Sequence, residues 1–111
     1  WIRPEDLNPH GRLFGGSLLR WIDEEAAIFA HGLLKNPNVV TKYISEINFT
    51  ESAQQADIIT LSLSLTQVGT SSITFSVSVT KEESVEILNI EKLVFVMLDK
   101  NGSPTPHHLA L

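Results

Sequence analysis

Within residues 58–68, and again within 72–81, apolar and hydroxyl side chains alternate. Ile59, Leu61, Leu63 and Leu65 alternate with Thr60, Ser62, Ser64 and Thr66. After Val68-Gly69-Thr70-Ser71 the pattern resumes, with Ile73, Phe75, Val77 and Val79 against Thr74, Ser76, Ser78 and Thr80. A period of two places each set on one face of a pleated strand. The break between the runs is too short for a crossover, so the strands are antiparallel neighbours. One face of this hairpin is then fully apolar and must be covered by another part of the chain. The hydroxyl face is too polar for a core and is either solvated or set against another subunit.

Two further strands follow from the same reasoning. Residues 86–98 end in Leu93-Val94-Phe95-Val96-Met97-Leu98, a continuous apolar run that fits a central strand buried on both faces. Residues 39–50 read as one strand with Tyr43, Ile47 and Phe49 on a common face. Short breaks at Lys81-Glu82-Glu83-Ser84 and Asp99-Lys100-Asn101-Gly102 make the strands an antiparallel meander. The cover is supplied by residues 17–34, where the period changes to that of a helix, ended by Lys35-Asn36-Pro37-Asn38. Leu18, Leu19, Ile22, Ala26, Phe29, Ala30 and Leu33 form an apolar arc, and Trp21 and Ile28 extend it to the other side. A helix so nearly apolar all round is wrapped on several sides. The expected fold class is therefore α+β, one long central helix wrapped by a curved antiparallel sheet. The 111 residues fit a single domain, 1–111, with a loose C-terminal tail from about residue 103 to 111 that includes His107-His108. The chain opens at Trp1 without an initiator Met, and a first strand upstream is expected.

Composition removes several classes of function. The chain has no cysteine, which excludes a disulfide framework, a thiolate zinc site and a cysteine nucleophile. Its formal net charge of −5 and lack of a basic stripe argue against nucleic acid and against an anionic membrane surface. No apolar run reaches the roughly 18 residues that a membrane span needs, and the first residues carry no signal-peptide core. A cytoplasmic protein is expected. The spacing of His10, His31, His107 and His108 matches no zinc motif, so no metal site is expected.

Chemistry concentrates around the helix start. Asp23, Glu24 and Glu25 are consecutive and point in different directions. Glu24 faces away from the apolar arc, while Asp23 and Glu25 lie at its two margins. Ala26, Ala27 and Ala30 follow Asp23 and are read as leaving space beside it, whereas Trp21 and Phe29 fill the space beside Glu25. A carboxylate at the edge of an apolar helix, next to a void, suits a general base or nucleophile; a solvated carboxylate near a helix start is the plainer alternative. Gly15-Gly16 precedes the helix and can present bare N–H groups to a developing oxyanion, or can form a simple turn capped by Ser17. Asn8 could hold a water or a carbonyl, or could bond its own backbone in an Asx turn. The Gly69-Thr70-Ser71-Ser72 turn offers amides and hydroxyls for a phosphate.

Taken in order, Arg3-Pro4-Glu5-Asp6-Leu7-Asn8-Pro9-His10-Gly11-Arg12-Leu13-Phe14-Gly15-Gly16-Ser17-Leu18-Leu19-Arg20-Trp21-Ile22-Asp23-Glu24 resembles the signature of the hot-dog-fold acyl-CoA thioesterases, in the branch of broad-range bacterial and brain-type enzymes. The resemblance continues through Glu46-Ile47-Asn48-Phe49, Gly69-Thr70-Ser71-Ser72-Ile73 and Phe95-Val96-Met97-Leu98-Asp99 to Gly102 and Pro104. It departs at Thr50-Glu51-Ser52-Ala53-Gln54-Gln55-Ala56-Asp57, where such proteins often carry Pro and Gly. The resemblance implies a hot-dog fold and hydrolysis of acyl-CoA to fatty acid and CoA without a metal or cofactor. It implies Asp23 of one subunit as general base or nucleophile, with Asn8 of the partner subunit positioning water or substrate. The Gly15-Gly16 amides would hold the thioester oxygen, and Gly69, Thr70, Ser71 and Ser72 the CoA phosphates. A homodimer would be the minimal active unit, assembling further into a hexamer or tetramer. Two alternatives on the same fold are a hydratase of enoyl or hydroxyacyl thioesters, which would need a His near the carboxylate, and a non-catalytic acyl-CoA-binding module.

Overall fold

The alternating stretches form the hairpin at one edge of a five-stranded antiparallel sheet. The computed structural model describes residues 1–82 and 84–109; Glu83, in the Lys81-Glu82-Glu83-Ser84 stretch, and residues 110–111 of the tail lie outside it. A 3-10 turn, Pro4–Asp6, precedes the helix α1 (Gly15–Leu34). The strands are β1 (Val39–Ile44), β2 (Ile47–Phe49), β3 (Ile59–Val68), β4 (Ser72–Lys81) and β5 (Val85–Met97). Their order is β1-β5-β4-β3, with β2 also on β5. The last three strands form the expected meander. The first two do not continue it; the 50–58 segment carries the chain across, so β1 and β2 flank β5 on the side away from β4. The fold is the hot dog implied by the resemblance, with one helix against an antiparallel sheet.

Cross-strand register identifies the helix-facing side. Ile73 pairs with Phe95, Phe75 with Leu93, Val77 with Ile90 and Val79 with Leu88, and all eight are buried. Leu61, Leu63 and Leu65 extend this face on β3. Against it α1 lays a stripe of every fourth residue: Leu18, Ile22, Ala26, Ala30 and Leu34. The Phe75 ring sits edge-on to both Phe29 and Phe95, with centroids 5.5 and 6.0 Å apart. The hydroxyl side of β3 is exposed, with Ser62 opposite Ser78 and Ser64 opposite Ser76.

Two expectations change. The single strand expected over 39–50 is two. At the break, Ser45 N–H donates to Lys92 O, and the Ser45 hydroxyl accepts from Lys92 N–H where a ladder carbonyl would otherwise stand. A bulge between Thr41 and Tyr43 also shifts the register by one residue. One extra residue reverses which face a side chain takes. Thr41 is therefore opposite buried Phe95 on the helix side, whereas Tyr43 is opposite Val94 and parts from Ile47 and Phe49. The second change concerns α1. The sheet covers one stripe only, leaving Ile28 and Phe29 exposed together with Val40, Tyr43 and Ile44 on β1.

Up to Leu109 the tail is pinned, where a loose segment was expected. Leu98 bridges Pro104, Thr105 N–H donates to Met97 O, and half-buried Leu109 packs on the core. Among the described residues no helix is long and apolar enough to cross a membrane.

Candidate active site

The loop before α1 is wired by Asn8. Its Oδ1 accepts from His10 N–H at 2.9 Å and Arg12 N–H at 3.2 Å. Its own amide donates to Arg12 O at 2.7 Å, and Gly11, at φ +79°, turns the chain between them. This is the Asx turn that the sequence offered as one reading. It leaves the other reading open, because two N–H donors fix the carboxamide oxygen inward and the Nδ2 amine takes the opposite side. Asn8 lines a cavity of about 550 Å³ with Arg12, Gly15, Leu18, Phe49 and Ala53. The first half of the 50–57 segment, where the resemblance departs, lines it as well, from Thr50 to Ala53; Leu13 N–H donates to the carbonyl of buried Ala53, and Arg12 bridges Gln54.

The glycine pair lies inside the helix, as its first two residues, and not in the loop before it. Phe14 takes the N-cap position without a side-chain cap, so Ser17 is not the cap. Ser17 and Leu18 N–H both donate to Phe14 O. The amides of Gly15 and Gly16 precede any carbonyl they could reach in the helix, which leaves them as orphan donors. Gly16 also has no room for a side chain: an added Cβ would stand 2.8 Å from Phe14 Cε1. The Phe14 ring folds back over the helix start, and a side chain at Gly16 would have to push that exposed ring aside.

Asp23 is on the next part of the same helix and is exposed. Its Oδ1 accepts from the Thr41 hydroxyl at 2.6 Å. Thr41 is a polar residue on the apolar side of the sheet, and the bulge is what aims it at the helix. Sequence reasoning missed Thr41. The available signal was a threonine among Val39, Val40, Tyr43 and Ile44, but its face could not be fixed without the bulge. The alanines beside Asp23 are also not a void. Ala26 and Ala30 are fully buried and let the helix approach the sheet. The open space lies by Glu25, which lines a second cavity of about 540 Å³ with Arg3, Arg20, Trp21, Leu61 and Leu63.

One chain thus brings Asn8 and Gly15 together and holds Asp23 apart. Gly16 and Asp23 are seven residues apart, nearly the same side of the helix but about 10 Å along it. The Gly69–Ser72 turn is elsewhere again. Ser72 shares a sheet row with Val96 and Val40, one row from Thr41. Gly69 N–H closes the turn on Ser72 O at 2.9 Å. Among the described residues no group of three His, Asp or Glu could hold a metal ion, and His31 is exposed on the helix, making no hydrogen bond with Asp23.

Residues 10–88 match the model of the Thioesterase superfamily. An uncharacterised acyl-CoA thioester hydrolase of Bacillus subtilis is 37% identical over 109 residues, covering 95% of this chain and 63% of that protein. The chain thus spans less than two thirds of that relative's length. Among solved structures, a hexameric thioesterase of Yersinia pestis aligns with TM-score 0.84 at 26% identity, covering 94% of this chain and 87% of the other. An acyl-CoA hydrolase of Staphylococcus aureus, solved with butyryl coenzyme A and coenzyme A, aligns with TM-score 0.82 at 31% identity, covering 95% and 63%.

Proposed function

Because the chain belongs to the thioesterase superfamily, we propose that it hydrolyses acyl-CoA thioesters in sites built between two copies of itself. Water attacks the thioester carbonyl, a C–O bond forms, the C–S bond breaks, and the products are a carboxylic acid and free CoA. Asp23 takes the proton from that water and the departing thiolate is protonated in turn; in the alternative route the Asp23 carboxylate itself attacks the carbonyl, expels CoA thiolate, and the resulting mixed anhydride is cleaved by water to the acid and free Asp23. The Gly15-Gly16 amides hold the carbonyl oxygen as it becomes an oxyanion. Asn8 donates through Nδ2 to the water or the substrate.

The observation that carries this reading is the separation along α1. A carbonyl oxygen held at about 3 Å by the Gly16 amide lies too far from Asp23 of the same helix, about 10 Å on. The two halves meet only if each site takes Asp23 from one copy and Asn8 with Gly15-Gly16 from the other. A surface for the second copy exists. Val40, Tyr43 and Ile44 are exposed on β1, which pairs with β5 on one side only among the described residues. Two such edges can join by strand pairing, with Ile28 and Phe29 covered in the same contact. Relatives support the reading: the Yersinia protein is hexameric. The Staphylococcus enzyme has been solved as alanine variants at an aspartate, an asparagine and a threonine. The spacing of its asparagine and aspartate equals that of Asn8 and Asp23.

Subunit mixing tests the shared site. Asp23→Ala and Asn8→Ala chains are each expected to keep about a hundredth of wild-type turnover or less in an acyl-CoA assay with a thiol reagent. Unfolded and refolded together, they recover about a quarter of wild-type turnover, because half of randomly formed symmetric dimers then hold one intact site. No recovery from folded mixed dimers places both residues in one subunit and overturns the shared site.

A further inference from the structure

The tail and the β3–β4 turn are joined by one side chain. His107 N–H donates to Thr70 O at 3.1 Å, and its Nε2 lies 2.9 Å from Ser72 O. Its Nδ1 accepts from Leu109 N–H at 2.9 Å. These contacts fix the ring chemistry. Nδ1 accepts, so it carries no proton; Nε2 faces a carbonyl, so it must carry one and donate. The tail bends sharply to make the Leu109 contact, with His108 at φ +60°, outside the range most side chains adopt. Half-buried Leu109 anchors the bend on the core.

The consequence for the turn is a sorting of its polar groups. Thr70 O is taken by His107 N–H, Ser71 O by Met97 N–H, and Ser72 O by His107 Nε2 and Gly69 N–H. Three carbonyls in succession are occupied. The amides of Thr70 and Ser71 donate to no acceptor among the described residues. A turn with its acceptors satisfied and its donors unspent is suited to an anion.

We infer that His107 is a positioning residue for substrate: it locks the Gly69–Ser72 turn in its donor-presenting form through the Nε2–H bond to Ser72 O. This rests on the reading of that turn as the seat of the CoA phosphates. Two substitutions separate the ring's two bonds. His107→Gln carries an amide N–H to about the place of Nε2 and keeps the bond to the turn. His107→Asn carries a carbonyl to about the place of Nδ1 and keeps only the bond to Leu109.

The experiment measures KM and kcat for wild type and both variants on two substrates. One is an acyl-CoA; the other is the same acyl group on N-acetylcysteamine, which has no phosphate. Wild type is expected to have a lower KM for the acyl-CoA. His107→Asn raises that KM up to about tenfold, the worth of one hydrogen bond, with kcat and the truncated substrate little changed. His107→Gln restores most of the loss. If wild type shows the same KM for both substrates, the turn does not hold CoA phosphate and the inference falls with that reading. If wild type does prefer acyl-CoA but the two variants behave alike, or lose both substrates equally, His107 is structural only.

Discussion

The loop around Asn8 and the helix position of Asp23 are built by different means. Asn8 is held by bonds to residues two and four positions on. Asp23 is held by Thr41, 18 positions on, across the space between helix and sheet. The first arrangement is local and forms wherever the loop forms. The second exists only when β1 has docked on β5 with its bulge in place. Side chains anchored locally can be placed from sequence, and those anchored across the fold cannot. The two halves should also fail differently when altered.

The largest effect is expected at Asp23. Asp23→Ala should lower kcat/KM for acyl-CoA by about 10²- to 10⁴-fold, the range for loss of a general base. Glu25→Ala, in the second cavity, should leave turnover close to wild type. The reverse result would move the chemistry to the Trp21–Glu25 cavity. At the local half, Asn8→Asp keeps an oxygen for His10 and Arg12 N–H but loses the Nδ2 donor. It should keep the melting temperature while lowering kcat/KM by about 10²-fold, as loss of one such donor does elsewhere. Full activity in Asn8→Asp would reduce Asn8 to a turn residue.

Next comes Thr41. Thr41→Val removes the hydroxyl and preserves shape. A hydrogen bond to a charged group is worth about 1.5–3 kcal/mol, and Asp23 is exposed, so the lower end applies. A drop of about tenfold in kcat/KM is expected, with Thr41→Ser restoring it. Equal activity in Thr41→Val would mean that Asp23 is oriented by something else, such as the second subunit.

These contrasts explain what was legible in the residues. Period two in 58–81 and the helical period after Ser17 follow from which side chains must avoid water, so β3, β4 and α1 could be read directly. The break at Ser45 and the bulge at Thr41 depend on what β5 offers across the sheet, and nothing within 39–50 encodes that partner. The strand order was hidden for the same reason: a hairpin turn reveals its neighbours, but the 50–58 crossing does not. At the site, the spacing of Asn8, Gly15-Gly16 and Asp23 was visible. The alanine reading failed because small residues on a helix permit close packing as readily as open space, and Ala26 and Ala30 are packed. The bonds of Thr41 to Asp23 and of His107 to Ser72 join residues distant in sequence.

The smallest effect probes the local half by itself. Asn8→Ala removes an acceptor that serves two backbone donors. Asn8 is half-buried and both bonds are near the surface, so water replaces part of what is lost. The expected cost is about 1 kcal/mol. For a domain of this size that lowers the melting temperature by roughly 4–8 °C. Asp23→Ala removes one bond between exposed groups and should cost less stability, although it costs far more activity. Stability and activity should therefore rank the two residues in opposite orders. A melting temperature lowered equally by Asn8→Ala and Asp23→Ala would show that the Thr41 contact supports the docking of β1 as much as Asn8 supports its loop. The division between a locally built half and a tertiary half would then no longer hold.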